Sequence, residues 1–211
     1  MSDICEVLAE IKVIPVIAID SIEDAIPLAD ALLEGGIPAA EITFRTAAAA
    51  DVINLLSKER PQLFVGAGTV LTPENAKRAF DCGAKFAVAP GCNPEVVAAA
   101  QKIGLPFAPG VMTPSDIETA TSMGLTLLKF FPAGAPGGAN MLKNIAAPYK
   151  HLGVKFMPTG GVTIDNIQEY LAVPEIIAAG GTWLAKQDMI ANGEWDKIRA
   201  NCQAVVELLK S

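Results

Sequence analysis

The stretch LFVGAGTVLTPENAKRAFDCGAKFAVAPGCNPE, residues 63–95, decides the fold. It opens on a short apolar run, Leu63 to Ala67. Thr72-Pro73-Glu74 then places a capping residue before a proline at the first helical position, the signature of a helix start. Gly83 supplies a helix stop. A second apolar run, Phe86 to Ala89, follows, and Asn93-Pro94-Glu95 starts the next helix in the same way. The unit reads strand, helix, strand. Its short runs, apolar on both faces, suit a parallel sheet covered by helices.

The same unit recurs on both sides. Further apolar runs lie at Val13 to Ile17, Ala39 to Thr43, Pro106 to Ala108, Leu127 to Phe130, Lys155 to Met157 and Ile176 to Ala178. Thr113-Pro114-Ser115 gives another helix start, and Gly35-Gly36, Gly104 and Gly124 give stops. The segments between runs are long enough for crossover helices. An extra helix is expected around Ile4 to Glu10. The last segment puts Trp195, Ile198, Cys202, Val205 and Leu209 on one helical stripe. Eight strand–helix units in 211 residues leave about 26 residues each, at the compact end for a (β/α)8 TIM barrel. With no linker, low-complexity tract or charge block, residues 1–211 read as a single barrel domain with an extra N-terminal helix. A doubly wound open sheet has the same order of elements, because strand count does not prove closure.

Composition narrows the function. Hydrophobic residues make up 51% and aromatics 6%, so the core must be aliphatic. A chain this long buries roughly 70% of its unfolded surface, enough for a self-sufficient core. The net charge of -7 argues against nucleic acid as a partner. It leaves anionic small molecules open, since local dipoles and single cations hold them. Cys5, Cys82, Cys92 and Cys202 are widely spaced, so free thiols in a reducing compartment are expected rather than a disulfide framework or zinc site. The single histidine, His151, rules out a zinc site built on histidines and reads as a loop residue. The N-terminus lacks the pattern of a signal peptide, and no apolar run reaches the ~20 residues of a membrane span. A cytoplasmic protein with no membrane partner is expected.

Lys129 lies in Leu127-Leu128-Lys129-Phe130-Phe131-Pro132. Desolvating a lysine there is costly, and a desolvated, neutral amine is a nucleophile for carbonyl carbons. A lysine snorkelling to the surface at a strand end fits the same residues. Glu41, Thr43 and Arg45 alternate with Ile42 and Phe44, which puts the three polar side chains on one strand face. At the C-terminal end of a barrel strand, that carboxylate and guanidinium suit proton transfer and carboxylate recognition. A Glu–Arg ion pair closing the barrel is the other reading. Two glycine-rich turns, Pro158-Thr159-Gly160-Gly161 and Ala179-Gly180-Gly181-Thr182, are expected after the seventh and eighth strands, where barrels often bind phosphate. Gly66-Ala67-Gly68-Thr69 follows the third strand, with Thr69 either touching substrate or capping the next turn. Lys12, Lys85 and Lys155 read as surface residues near strand starts, and Trp183 as a packing anchor.

These residues resemble the class I aldolases of 2-keto-3-deoxy-6-phosphogluconate (KDPG) and 4-hydroxy-2-oxoglutarate. The resemblance spans nearly the whole chain. It rests on Ile14-Pro15-Val16, Glu41-Ile42-Thr43-Phe44-Arg45-Thr46, Val65-Gly66-Ala67-Gly68-Thr69-Val70, Pro90-Gly91, Lys129-Phe130-Phe131-Pro132-Ala133, Pro158-Thr159-Gly160-Gly161 and Gly180-Gly181-Thr182-Trp183. It implies that Lys129 forms a Schiff base with the 2-keto acid and that Glu41 is the general acid/base. It implies that Arg45 grips the substrate carboxylate, with Thr69, Pro90 and Thr159 lining the site. Gly160, Gly161, Gly181 and Thr182 would hold the distal phosphate. Many members carry serine where this chain has Thr182, which keeps the hydroxyl and adds a methyl. The resemblance further implies KDPG cleavage to pyruvate and glyceraldehyde 3-phosphate, without cofactor or metal, in a homotrimer. The same chemistry on the galactonate epimer or on unphosphorylated 4-hydroxy-2-oxoglutarate is the nearest alternative. A phosphate-binding isomerase or epimerase barrel, and a non-catalytic phosphosugar-binding barrel, are the others.

Overall fold

A computed structural model describes residues 2–210. Helix α1 (Ser2–Ile11) precedes an alternation of strands and helices. In chain order these are β1 (Val13–Ile17), α2 (Ala25–Glu34), β2 (Ala39–Thr43), α3 (Ala49–Glu59), β3 (Phe64–Gly68), α4 (Pro73–Asp81), β4 (Phe86–Val88) and α5 (Pro94–Ile103). Then come β5 (Phe107–Ala108), β6 (Gly110–Val111), α6 (Pro114–Ser122), β7 (Leu127–Phe130), α7 (Gly138–Ala146) and β8 (Lys155–Pro158). The chain continues through α8 (Ile167–Leu171), β9 (Ala179–Gly181), α9 (Gln187–Ala191) and α10 (Trp195–Leu208).

All strand pairs are parallel. Six strands run β5-β4-β3-β2-β1-β9 and three run β6-β7-β8. The sheet curls so far that side chains from β2 and β7 touch across its interior.

The helix starts form as their sequences dictate. Thr72, Asn93 and Thr113 each accept a backbone N–H with the side chain, ahead of a proline. Thr113 and Asp116 complete a reciprocal capping box. Gly104 ends α5 in the left-handed conformation.

Two strands differ from their sequence expectation. The run from Pro106 continues to Val111 but breaks at Pro109, which lacks an N–H. The Pro109 carbonyl still accepts from the Lys129 N–H at 2.9 Å. The last strand is not Ile176 to Ala178. Ile176 makes a single bridge to Phe156, and the ladder with β1 forms at Ala179–Gly181. Gly180 and Gly181 are therefore strand residues, and the second expected glycine turn does not exist. Bare backbone is needed there because a Cβ on Gly181 would strike the Trp183 ring, and one on Gly180 would meet Thr159 Oγ1 at 2.5 Å. Trp183 is thus the packing anchor expected.

Two apolar layers follow from the strand alternation. Outward residues such as Ile17, Ile42, Val65, Leu128 and Phe130 pack beneath the helices. Inward residues Ile14, Ala39, Phe86, Val88, Ala108, Leu127, Met157 and Ala178 pack together inside the curl. Helix α1 stoppers that end with Ile4 and Leu8. The buried Ile198, Cys202 and Val205 stripe of α10 lies against α2, where Gly35 leaves room for Cys202.

Candidate active site

Two residues further along each inward strand face, the side chains change character. Ile14 is followed by Val16, Ala39 by Glu41, Leu127 by Lys129 and Met157 by Thr159. The period of two puts each pair on the same face. The lower member joins the apolar plug, and the upper member lines a cavity of about 130 Å³ at the C-terminal ends of the strands. The plug therefore seals one end of the interior and leaves chemistry at the other.

Lys129 Nζ donates to Glu41 Oε1 at 2.9 Å, joining residues 88 apart in sequence. Glu41 is 1% exposed and Lys129 5%. The snorkelling alternative fails on this geometry. A buried ion pair with one partner removed is left with an uncompensated charge, which makes the pair interdependent. The Phe131 ring centroid lies 5.9 Å from Nζ and shields it further. Passing a proton from Nζ to Oε1 would leave a neutral amine beside a neutral acid, the starting point of carbonyl attack.

Arg45 does not pair with Glu41. It sits just beyond β2, exposed, and its Nε donates to Thr43 Oγ1 at 3.1 Å. Thr43 Oγ1 in turn donates to the Ile17 carbonyl at 2.8 Å. Among the described residues no carboxylate pairs with Arg45. Its guanidinium is oriented by a neutral hydroxyl and keeps its charge for a ligand anion. Thr69 lines the cavity in a left-handed conformation, φ 56°. Such strain in a non-glycine residue clusters at functional sites. Thr72, not Thr69, caps α4.

Gly160 and Gly161 turn the chain after β8 with φ of 88° and 81°. Their N–H groups and that of Thr182 have no protein acceptor among the described residues. Successive free N–H groups in such turns make anion-binding concavities. Gly181 and Thr182 complete that wall from the end of β9.

All ten residues singled out from the sequence line this one cavity. Three lining residues were missed as such: Val16, Phe131 and Val162. Val16 was legible from the alternation of β1, as the residue two beyond inward Ile14. Phe131 and Val162 lie past strand ends, where no period applies. His151 is exposed, outside the cavity, on a 3-10 turn spanning Ala147–Leu152. Lys12 and Lys85 are exposed at strand starts, and Lys155 is half-buried with Nζ on the Pro174 carbonyl. All four cysteines are free, and burial pushes the Cys202 thiol up to about 12. No helix among the described residues is long and apolar enough to cross a membrane.

The chain is similar to known aldolases. The KDPG and KHG aldolase family matches residues 4–201. The 2-dehydro-3-deoxy-phosphogluconate aldolase of Haemophilus influenzae is 46% identical over 207 residues, covering 98% of this chain and 97% of the relative. The KHG/KDPG aldolase of Escherichia coli is 40% identical, covering 92% and 91%. The crystal structure of KDPG aldolase from Legionella pneumophila, with pyruvate captured at low pH as a covalent carbinolamine intermediate, superposes with a TM-score of 0.90 at 42% identity. That match covers 95% of this chain and 97% of the other. A family match over nearly all the chain, with relatives at these identities, means that the chain belongs to the KDPG and KHG aldolase family.

Proposed function

We propose that the protein is a class I aldolase that cleaves KDPG to pyruvate and glyceraldehyde 3-phosphate, and also cleaves 4-hydroxy-2-oxoglutarate to pyruvate and glyoxylate. The carrying observation is the buried Lys129–Glu41 pair, 2.9 Å apart, in a cavity that also holds an arginine with no carboxylate partner among the described residues.

Glu41 accepts the Lys129 ammonium proton, and the neutral amine attacks the substrate C2 carbonyl. Glu41 returns a proton to the carbinolamine oxygen, and water leaves. The protonated imine then draws the C3–C4 bonding pair toward nitrogen as the C4 hydroxyl loses its proton, to Glu41 directly or through water. The aldehyde departs. The remaining enamine is protonated at C3, and hydrolysis of the imine frees pyruvate and Lys129. Arg45 holds the C1 carboxylate throughout, while Thr69, Pro90 and Thr159 confine the chain. Gly160, Gly161, Gly181 and Thr182 take the distal phosphate. The free N–H groups of Gly160, Gly161 and Thr182 support that assignment.

The scaffold in this reading is one closed (β/α)8 domain. Three observations support closure. The bridges Thr159↔Gly180 and Phe156↔Ile176 link β8 to the chain at β9, β5 and β6 are halves of one strand, and one apolar cluster draws on β1, β2, β4, β5, β7 and β8. A homotrimer is part of the same proposal and is carried over from the family resemblance alone. A cytoplasmic location is also part of it, supported by four unpaired cysteines.

Incubation with pyruvate and borohydride tests the chemistry. Reduction should add one pyruvate-derived mass, located on Lys129 by peptide mapping. Absence of that adduct sinks the Schiff-base mechanism.

A further inference from the structure

We infer that Gly68 is a positioning residue for the Glu41 carboxylate: its missing side chain is the space in which the general acid/base sits. The inference rests on the aldolase reading of Lys129 and Glu41. Glu41 pairs in register with Gly66 on the neighbouring strand, and Gly68 is the next residue along β3 on the same face. A Cβ built on Gly68 would overlap Glu41 Oε1 and lie 2.8 Å from Cγ and 2.9 Å from Cδ. Ordinary contact between such atoms is about 3.5–4.0 Å.

The backbone conformation does not itself demand glycine at this position. Gly68 is absent from the residues with positive φ, so its backbone accepts an L side chain. Only Glu41 atoms stand among its nearest neighbours. The next residue, Thr69, does take the left-handed conformation, so the chain leaves β3 just after presenting this gap. The atoms that come nearest the gap therefore belong to the side chain that holds Lys129.

The consequence is specific. In Gly68→Ala the carboxylate must retreat by about 1 Å, and Oε1 cannot keep its place against Nζ. A misplacement of that size costs about 10²-fold in rate. The collision atoms are Glu41 Cγ, Cδ and Oε1, and all three vanish in Glu41→Ala.

The experiment measures solvent exchange of the pyruvate methyl protons, with borohydride trapping alongside, in wild type, Gly68→Ala, Glu41→Ala and the double variant. Gly68→Ala should lower kcat for exchange about 10²-fold and change KM for pyruvate less than about threefold. The same substitution added to Glu41→Ala should change the residual rate less than about threefold. If Gly68→Ala does not fold, the double variant should be no less stable than Glu41→Ala alone, because the collision partner is gone. Near-wild-type exchange in Gly68→Ala overturns the inference. So does a full 10²-fold loss in the Glu41→Ala background, or a double variant clearly less stable than Glu41→Ala alone. A wild-type protein that neither exchanges nor traps pyruvate sinks the aldolase reading itself.

Discussion

Replacing Lys129 by methionine should destabilise the protein and not merely silence it. Methionine roughly keeps the apolar stem and removes the ammonium. Glu41, 1% exposed, then loses the only hydrogen-bond donor its side chain has among the described residues. Breaking a buried pair from one side costs about 3–5 kcal/mol. Glu41 lines the cavity, so water there relieves part of the burden, and the lower end applies. About 3 kcal/mol in a chain of this length lowers Tm by roughly 6–12 °C. Adding Glu41→Gln removes the stranded charge and should recover about half of that loss. Calorimetry near neutral pH, at one fixed protein concentration, reads all three proteins on the same scale. A Lys129→Met protein melting within about 1 °C of wild type refutes the reasoning. So does a double variant no more stable than the single one.

Three further outcomes are expected. Gly161→Ala forces a side chain into φ 81° and against the Gly134 Cα at 3.0 Å. It should cost about 1–2 kcal/mol in chemical denaturation, and lower kcat/KM for phosphorylated substrate more than for unphosphorylated. Equal losses would separate this turn from phosphate binding. The Cys202 thiol, pushed up to about 12 by burial, should resist alkylation in the folded protein at mildly alkaline pH and react fully in denaturant, as mass spectrometry of the modified peptide would report. Hydrogen bonds from Arg60 hold the Asp30 carboxyl below its ordinary value against a smaller opposing effect of burial. A depressed acid stabilises the fold above its unfolded value and loses that contribution as pH falls through the folded one. Asp30→Asn should therefore be less stable by about 0.2–1 kcal/mol near neutrality and converge with wild type in acid. A gap that widens on acidification would contradict the sign.

Much of the fold was readable because its signals are local. The prolines at Pro73, Pro94 and Pro114, each after a capping residue, start helices wherever they occur, and they do so here. The errors fell where a glycine carries two meanings. Gly160 and Gly161 turn the chain with positive φ, whereas Gly180 and Gly181 run straight through a strand. Sequence shows both as Gly-Gly. Only the neighbours differ: the Trp183 ring and the Thr159 hydroxyl claim the space beside the second pair. Pro109 split the fifth run for a similar reason, since its neighbours decide whether a missing N–H matters.

Residue types and their spacing determined by themselves which side chains this protein has to work with. Alternation along one strand put Glu41 and Arg45 on a common face, and an apolar run singled out Lys129 as a costly lysine. Neither could say whether Lys129 reached water. The curl of the sheet decided that, by carrying β7 across the interior until Nζ met Glu41 at 2.9 Å. It also left Arg45 on Thr43 rather than on the carboxylate. Local propensity is written within a few residues of chain. The partner of a buried charge, by contrast, depends on contacts 88 residues apart, which exist only once the sheet has folded round.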